Sequence, residues 1–242
     1  MFFNSKYKRL LREDIIEMIE SYIIENNLQI NDRLPSELEM CSMWNLNRMT
    51  LRSAIKRLTE EGALYVKEGS GIFVGNGKLE FKLQDMKSFT NSIKSIGEEL
   101  HTEVISFNII ESNKIISKKL HLLLGNKIYE LIRLRYINNI PMFLEKSYLD
   151  VSKYPNLDNY DFSKYSLYDV LEKLYNINLH SGMEYIDISY VNEHEASLLK
   201  IKEGTPVFFL QGVVNDENDM PLEYFESIVR SDKIKYSSQL SC

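Results

Sequence analysis

Residues 34–74 read LPSELEMCSMWNLNRMTLRSAIKRLTEEGALYVKEGSGIFV, and this stretch decides the fold of the N-terminal part of the chain. Ser36 is a favourable helix N-cap, and Glu39 three residues later completes a capping box, which predicts a short helix after Pro35. A polar turn is predicted at residues 45–47. The predicted apolar stripe of this first short helix consists of Leu38, Cys41 and Trp44.

A second helix is predicted at about residues 48–60, because Gly62 favours a helix end. Residues 63–67 and 72–75 then have strand character, and the sequence Gly-Ser-Gly at 69–71 supplies the turn between them. Two short helices followed by a two-stranded ribbon indicate a winged helix-turn-helix. The predicted inner face of the second helix consists of Leu51, Ala54, Ile55 and Leu58.

The outer face of the second helix is basic, with Arg48, Arg52 and Lys56 spaced i, i+4 and i+8. Arginine offers a bidentate fork to guanine, and polar residues near a helix start reach phosphates or base edges. A glycine-rich ribbon tip lets the backbone approach a duplex closely. On spacing alone, a solvated helix face explains the basic stripe equally well. The candidate DNA-binding residues are Ser36, Asn47, Arg48, Thr50, Arg52, Lys56 and Gly71.

This stretch resembles the GntR family of bacterial transcription regulators. The matching residues are Leu34-Pro35-Ser36-Glu37, Asn47-Arg48-Met49-Thr50-Leu51-Arg52, Ala54-Ile55, Leu58, Glu61-Gly62 and Gly69-Ser70-Gly71-Ile72-Phe73-Val74. Leu38 stands where the family usually has an arginine that touches the DNA backbone, and Asn47 replaces a usual serine. The resemblance implies a regulator that binds double-stranded operator DNA as a homodimer through a pseudo-palindromic site.

The composition is that of a globular protein, with 242 residues, 44% hydrophobic and 26% charged, long enough for two domains. No apolar run approaches the roughly 20 residues of a membrane span, and we expect no signal peptide. Cys41 and Cys242 make no disulfide framework, which favours the cytoplasm. The histidines have no metal-ligand spacing and no nucleotide-binding motif occurs, so we expect no metal and no cofactor.

The overall charge of the chain does not indicate DNA binding. The chain carries a net charge of −6, of which −1 falls within residues 1–75 and −5 within the remainder. The argument for DNA therefore depends on the local basic face of the second helix. We expect weak non-specific binding and a strong dependence on salt concentration.

Residues 75–78 break the ribbon pattern, and strands and helices follow in the rest of the chain. Strands are predicted at residues 103–110, 128–137, 142–149, 180–191, 206–215 and 221–230, and helices at 114–124, 166–176 and 193–200. Strands that meet at hairpins indicate one antiparallel sheet with helices on one face, which makes the chain α+β. The expected domains are a DNA-binding domain at 1–75, a linker at 76–84 and an effector-binding domain at 85–242.

This second part resembles the effector-binding UTRA domain of the HutC subfamily of GntR regulators, which has a chorismate-lyase-like fold. The matching pieces are Ser88-Phe89-Thr90, Arg133-Leu134-Arg135, Pro141, Glu145, Ser166-Leu167-Tyr168, Glu195-Ala196, Leu199, Gly204-Thr205-Pro206-Val207, Pro221-Leu222-Glu223 and Arg230-Ser231-Asp232. The resemblance implies that a small molecule bound here controls operator binding.

Arg133 and Arg135 alternate with apolar residues, and a period of two puts both guanidinium groups on one face of a strand. Two adjacent guanidinium groups match a phosphate. Alternatively, both arginines pair with Glu145 across the hairpin on a wet sheet face. The spacing leaves these two interpretations open.

Ser166 opens a predicted helix, and Asp169 completes a capping box with it. Ser166 then either caps the helix or, together with Tyr168, donates to the same anion as the arginines. The candidate effector-binding residues are Ser88, Phe89, Thr90, Arg133, Arg135, Glu145, Ser166, Tyr168 and Glu223.

In related regulators these positions commonly bind phosphorylated sugars, so the resemblance implies a sugar phosphate as the effector. Together these observations predict a repressor whose operator binding is modulated by a small anion. One alternative is a chorismate-lyase-like enzyme, but the sequence offers no convincing acid/base pair or activated nucleophile. The other is a ligand-binding module without operator function.

Overall fold

A computed structural model describes residues 12–67, 69–82, 93 and 98–239. The chain divides into two compact units. The first unit takes the residues up to Glu80 together with Asp232–Lys235, and the second takes Phe81–Ser231 together with the residues from Tyr236 onward. The expected domain boundaries at residues 75 and 85 remain a prediction.

The first unit has the predicted winged helix-turn-helix elements. Ser36 caps the helix Glu37–Trp44 as expected. Its hydroxyl accepts a hydrogen bond from the Glu39 amide at 3.3 Å, and the Glu39 carboxylate accepts one from the Ser36 amide at 2.7 Å. Asn45 ends that helix in the left-handed conformation with φ of 50°. The elements are α1 (Arg12–Glu25), α2 (Glu37–Trp44), α3 (Arg48–Glu60), β1 (Leu64–Lys67) and β2 (Gly71–Val74).

The core of the first unit forms where α1, α2 and α3 meet the ribbon. All four predicted inner residues of α3 are buried, whereas one residue of the predicted α2 stripe is not. Leu38 is 68% exposed, and Met40 takes the buried position with Cys41 and Trp44 packed beside it. The predicted stripe was wrong because α2 has only eight residues, and Met40, Cys41 and Trp44 share a face that Leu38 does not.

The second unit is built on a six-stranded antiparallel sheet of order β4-β5-β6-β9-β8-β7. Asn138 and Asn139 connect β5 to β6 with φ of 49° and 63°, as a two-residue type I′ hairpin requires. The strands are β4 (Leu100–Glu111), β5 (Lys127–Ile137), β6 (Ile140–Asp150), β7 (Leu179–Tyr190), β8 (Pro206–Asp216) and β9 (Pro221–Arg230). The helices are α4 (Lys114–Lys119), α5 (Leu167–Tyr175), α6 (Glu193–Leu199) and a 3-10 turn at Leu157–Asn159.

Helices cover both faces of this sheet, so the expectation of helices on one face was wrong. On one face, α5 packs on Tyr129 and Leu131 of β5. On the other face, α4 packs on Ile128 and α6 packs on Leu134. The reason is that β5 and β6 are buried on both sides along most of their length, which requires cover on both sides.

Two short strands were missed from the sequence. β3 (Leu79–Lys82) and β10 (Ile234–Ser237) pair in a two-stranded sheet, so the expected linker contains a strand. Each is only four residues long, so the alternation of apolar and polar residues in LEFK and IKYS is too short to separate a strand from a loop. The predicted helix 114–124 is also shorter, because His121 adopts φ of 55° after the helix ends. No helix within the described residues is long and apolar enough to cross a membrane.

Candidate functional site

The basic face of α3 is exposed, as the spacing predicts. The side chains of Arg48, Arg52 and Lys56 are 55%, 52% and 79% exposed. Glu37 of α2 pairs with both arginines, since its carboxylate accepts from Arg52 Nε at 2.7 Å and from Arg48 Nε at 3.3 Å. Thr50 lies half-buried on the first turn of α3. The structure thus brings three of the candidate DNA-binding residues to one surface with an acidic residue at its centre.

Ser36 and Asn47 stand at the starts of the two helices that form this surface. The Asn47 side-chain carbonyl accepts from the Met49 amide at 2.8 Å, which caps α3. The Ser36 hydroxyl caps α2. Both side chains therefore fix the first turns on which the exposed residues lie.

Gly71 differs from the expectation of a bare ribbon tip. Its φ is +121°, and a Cβ placed there would lie 3.0 Å from Arg33 Nε, so the glycine makes room for that side chain. Gly69, by contrast, has open space beside it. Sequence reasoning missed two basic residues of the ribbon, Arg33 and Lys67. The Lys67 ammonium lies over the Phe73 ring at 5.2 Å.

Only Lys67 could have been found from the sequence, because it directly precedes the glycine turn. Arg33 reaches the ribbon through an isolated bridge to Phe73, a contact across forty positions of the chain that no local pattern indicates.

Arg133 and Arg135 lie on one buried face of the sheet, as the period of two predicts. Their side chains are 4% and 8% exposed. Glu145, the cross-strand partner of Arg133, accepts from Arg135 Nε at 2.6 Å and lies 3.2 Å from Arg133 Nη2. Both arginines therefore pair with Glu145 across the hairpin, but on a buried face of the sheet rather than a solvent-exposed one.

Three more polar groups complete this cluster. Arg133 Nη2 donates to the Ser147 hydroxyl at 3.1 Å, and the Tyr168 hydroxyl of α5 donates to Glu223 at 2.5 Å. Glu223 on β9 is 2% exposed. Sequence reasoning missed Ser147, because its place beside the arginines follows from the strand register and not from any local motif.

Two buried polar atoms in the cluster have no hydrogen-bond partner among the described residues, Arg133 Nε and Ser227 Oγ. Ser227 is the cross-strand partner of Glu145, so Arg133, Glu145 and Ser227 form one row across β5, β6 and β9. Buried polar groups normally have a hydrogen-bond partner, so two unpaired polar atoms on one face indicate a binding site for a polar ligand.

The charges of this cluster are set by burial and proximity. Burial and the neighbouring Arg135 lower the pKa of Arg133 to about 10, which keeps it charged at neutral pH. Burial acts to raise the pKa of Glu145, but Arg135 and Arg133 outweigh it and hold that pKa below its usual value. Burial raises the pKa of Glu223 against the hydrogen bond from Tyr168. Both arginines therefore lie beside the ionised carboxylate of Glu145.

Ser166 is the N-cap residue of α5, but its side chain makes no capping hydrogen bond. The predicted capping box with Asp169 was therefore wrong. Asp169 lies instead 3.9 Å from the Lys173 ammonium, one turn further along α5. The N-terminus of α5 consequently keeps amide donors that no side chain of its own satisfies.

Aromatic rings border the cluster at the row of Arg135. Phe143 is the cross-strand partner of Arg135, and Phe81 packs on Phe143 with ring centroids 5.7 Å apart. Tyr236 packs on both Phe81 and Phe208. This border was missed, because Phe81 and Tyr236 lie on the two strands that sequence reasoning did not find.

Ser88, Phe89 and Thr90 lie outside the described residues, so their predicted part in the site stays a prediction. Among the described residues, no group of three or more His, Cys, Asp and Glu side chains is placed to hold a metal ion.

The comparisons with known proteins identify the class of molecule that this fold and these two surfaces define. Residues 11–74 match the gntR family of bacterial regulatory proteins, and residues 95–235 match the UTRA domain. The chain therefore belongs to the GntR family of bacterial regulatory proteins, with the domain combination of the HutC subfamily. Membership in this family makes the chain a DNA-binding regulator and not an enzyme.

The curated relatives match over almost their whole length. The HTH-type transcriptional repressor NagR of Bacillus subtilis (strain 168) is 30% identical over 230 residues, which cover 94% of each chain. A probable fructoselysine utilization operon transcriptional repressor of Shigella flexneri is 27% identical over 93% of each chain. Among solved structures, PhnF from Mycobacterium smegmatis superposes with a TM-score of 0.69 at 23% identity, over 96% of this chain and 99% of that chain. That superposition supports the fold.

Proposed function

We propose that this chain is a transcriptional repressor that leaves its operator when a small anionic effector, a phosphorylated sugar, binds in the second unit. Both relatives described above are named as repressors, and one is named for a fructoselysine utilization operon. A regulator that acts on operator DNA works in the cytoplasm. The proposal assigns DNA reading to the first unit and effector binding to the second.

The observation that carries the effector half is the buried arginine pair. Arg133 and Arg135 share one carboxylate, Glu145, and Arg133 keeps an unsatisfied Nε. Leaving a buried guanidinium nitrogen without a hydrogen-bond partner is unfavourable, and an anion or another acceptor that joins it removes this cost. A phosphate monoester supplies both the negative charge and the acceptor oxygens for guanidinium groups.

Ser166 and Tyr168 extend this anion site onto α5. The Ser166 hydroxyl is not used for capping, and the first amides of α5 bring the positive end of the helix dipole. Tyr168 already donates to Glu223, which ties α5 to β9. We assign Glu145 and Glu223 to sugar hydroxyl groups, because carboxylates accept hydrogen bonds from hydroxyls.

The DNA half is carried by α3. Arg48, Arg52 and Lys56 would face the major groove, with Thr50 beside them and the capping residues Ser36 and Asn47 holding the helix starts. Gly71 would bring the ribbon backbone and the neighbouring Arg33 side chain close to the duplex. A positively charged outer face supplies the salt-dependent part of the affinity.

We propose a homodimer that forms through β7. This strand is an open edge of the sheet and exposes large apolar side chains on both of its faces. Native proteins cover or protect such an edge. The exposed apolar residues of β7 are Met183, Tyr185, Ile188 and Tyr190.

Sedimentation velocity tests this dimer. The wild-type chain should sediment as a dimer and Ile188→Asp as a monomer, while Ile115→Asp, at another exposed isoleucine on α4, should remain dimeric. A monomeric wild type would contradict the proposed dimer.

The effector and the operator bind at different sites, and each should weaken the binding of the other. If the effector weakens operator binding, the operator must weaken effector binding by the same factor. Typical coupling changes each affinity by about 5- to 150-fold.

A thermal-shift panel of phosphorylated sugars beside their unphosphorylated parents tests the effector class. A ligand at 100 times its Kd adds about 2.7 kcal/mol of stability. We expect one phosphorylated sugar to raise Tm and its parent to have no effect. Ser166→Ala should reduce that shift, whereas Ser197→Ala, an exposed serine on α6 across the sheet, should not. A panel without any shift would contradict the phosphate assignment.

A further inference from the structure

We propose that Glu37 is a positioning residue for sequence reading, which holds the guanidinium groups of Arg48 and Arg52 in place. By this action Glu37 raises selectivity for operator sequences and lowers affinity for DNA of any sequence. The inference rests on the proposed DNA-reading role of the two arginines, and its test separates the failure of one from the failure of the other.

The geometry of the pairing leaves the terminal guanidinium nitrogens of both arginines available to bind bases. Glu37 Oε2 accepts from Arg52 Nε at 2.7 Å and from Arg48 Nε at 3.3 Å. Both contacts use the Nε edge of the guanidinium group. The terminal nitrogens of both side chains make no hydrogen bond within the described part of the chain. An arginine that reads guanine uses two donors of its fork, and the terminal nitrogens supply them.

Glu37 is itself held firmly. It is the first residue of α2, directly after Ser36, and the capping box of Ser36 and Glu39 fixes that helix start. The Glu37 side chain is 26% exposed, about half the exposure of either arginine. Burial opposes its ionisation, but the hydrogen bonds from Arg52 and Arg48 lower its pKa, so it carries its charge at neutral pH.

The contact is also non-local. Glu37 lies 11 positions before Arg48 and 15 before Arg52, so the pairing joins α2 to α3 across the helix-turn-helix. Arg57 on the same helix pairs with Glu61 instead, which is an ordinary i, i+4 surface contact. The chain thus has a matched pair of arginine–carboxylate contacts on α3, one that bridges the two helices and one that does not.

The physical consequence has two parts. An arginine whose side chain is already fixed by a hydrogen bond loses less conformational freedom when it binds a base. The carboxylate that Arg48 and Arg52 share also reduces the repulsion between their two positive charges. When α3 lies against a duplex, the same carboxylate repels phosphates of every sequence. Glu37 therefore favours contacts that need the held geometry and disfavours contacts that need only positive charge.

The experiment is a parallel selection from a random double-stranded DNA library with full-length protein, because the operator is not needed in advance. The chains compared are the wild type, Glu37→Gln, Glu37→Asp and Glu61→Gln. Glu37→Gln removes the charge and keeps an acceptor, whereas Glu37→Asp keeps the charge and shortens the reach. Glu61→Gln makes the same charge change at the i, i+4 contact with Arg57. The affinity of each chain is then measured for the wild-type-selected duplex and for unselected duplex, and a thermal melt of each checks folding.

We expect Glu37→Gln to bind unselected duplex more tightly and to lose about tenfold or more of its ratio of selected to unselected affinity. Glu37→Asp should lose selectivity without gaining affinity for unselected duplex. Glu61→Gln should keep the wild-type ratio.

Two results would overturn the inference. If the wild type selects a sequence and Glu37→Gln selects the same one with the same ratio, Glu37 has only a structural role. If the wild type selects no sequence at all, the DNA-reading proposal fails, and the role of Glu37 fails with it.

Discussion

Two pairs of arginines in this chain each share one glutamate, but the two pairs lie in different environments. Arg48 and Arg52 are joined by Glu37 on an exposed helix face, and Arg133 and Arg135 are joined by Glu145 on a buried sheet face. Water screens the first pair, and the protein interior does not screen the second. The same set of two arginines and one glutamate should therefore determine selectivity in one place and stability in the other.

The difference in exposure determines which kind of ligand can reach each pair of arginines. On α3 the side chains of Arg48 and Arg52 are 55% and 52% exposed, so a long, charged duplex can reach them. In the sheet, only a small molecule can reach Arg133, because its side chain is 4% exposed. Exposure thus separates a surface for a polymer from a site for a small anion.

The largest expected effect comes from removing the buried carboxylate. Glu145→Gln removes the carboxylate that both buried guanidinium groups share, which should lower the free energy of unfolding by about 3–5 kcal/mol. Glu37→Gln removes the same group from an exposed pair and should change it by less than about 1 kcal/mol. Urea denaturation of both variants measures the contrast, and equal losses would refute the distinction between the two pairs.

The next effect concerns operator affinity. Arg52→Ala should weaken binding to the selected duplex by about 1–3 kcal/mol, because a reading arginine is lost. Arg57→Ala removes an arginine from the same helix that pairs with Glu61, and it should weaken binding by much less. Fluorescence anisotropy titrations at one fixed salt concentration measure both. An Arg52→Ala chain with wild-type affinity would show that α3 does not read DNA in this way.

A smaller effect distinguishes the two N-cap serines. Ser36→Ala should lower the free energy of unfolding by about 1 kcal/mol, since its hydroxyl caps α2. Ser166→Ala should leave stability almost unchanged, because its hydroxyl makes no capping bond. Thermal or urea denaturation checks both variants. A marked loss of stability in Ser166→Ala would return that serine to a structural role.

The smallest effect is a pH dependence from Glu223. Burial raises the pKa of Glu223 above its usual value of 4.5, so the folded chain takes up this proton before the unfolded chain does. As pH falls from neutral toward 4.5, the wild type should therefore gain stability relative to Glu223→Gln, and the gain should level off below 4.5. Denaturation at several pH values measures the difference between the two chains. A difference that does not vary with pH would contradict the raised pKa.

Local patterns predicted the parts of each region that depend on neighbouring residues. The capping box at Ser36, the buried face of α3 and the common face of Arg133 and Arg135 all follow from spacing, and the structure confirms them. These features depend on residues within a few positions of one another.

Contacts between distant segments could not be predicted in this way. Glu37 is part of a matching motif in the sequence, but its link to Arg48 and Arg52 needs α2 and α3 packed together. Ser227 joins the arginine cluster only through the register of three strands. Leu38 was assigned to the wrong face because a helix of two turns offers too few positions to fix its apolar side.

The most direct test of the account is release of the protein from DNA by its effector. A labelled duplex selected by the wild-type chain would be titrated with each phosphorylated sugar and each unphosphorylated parent, and anisotropy would report the bound fraction. We predict that one phosphorylated sugar releases the duplex, that its parent does not, and that Ser166→Ala shifts the release to higher concentration. A duplex that stays bound at every concentration of every phosphorylated sugar would contradict the account.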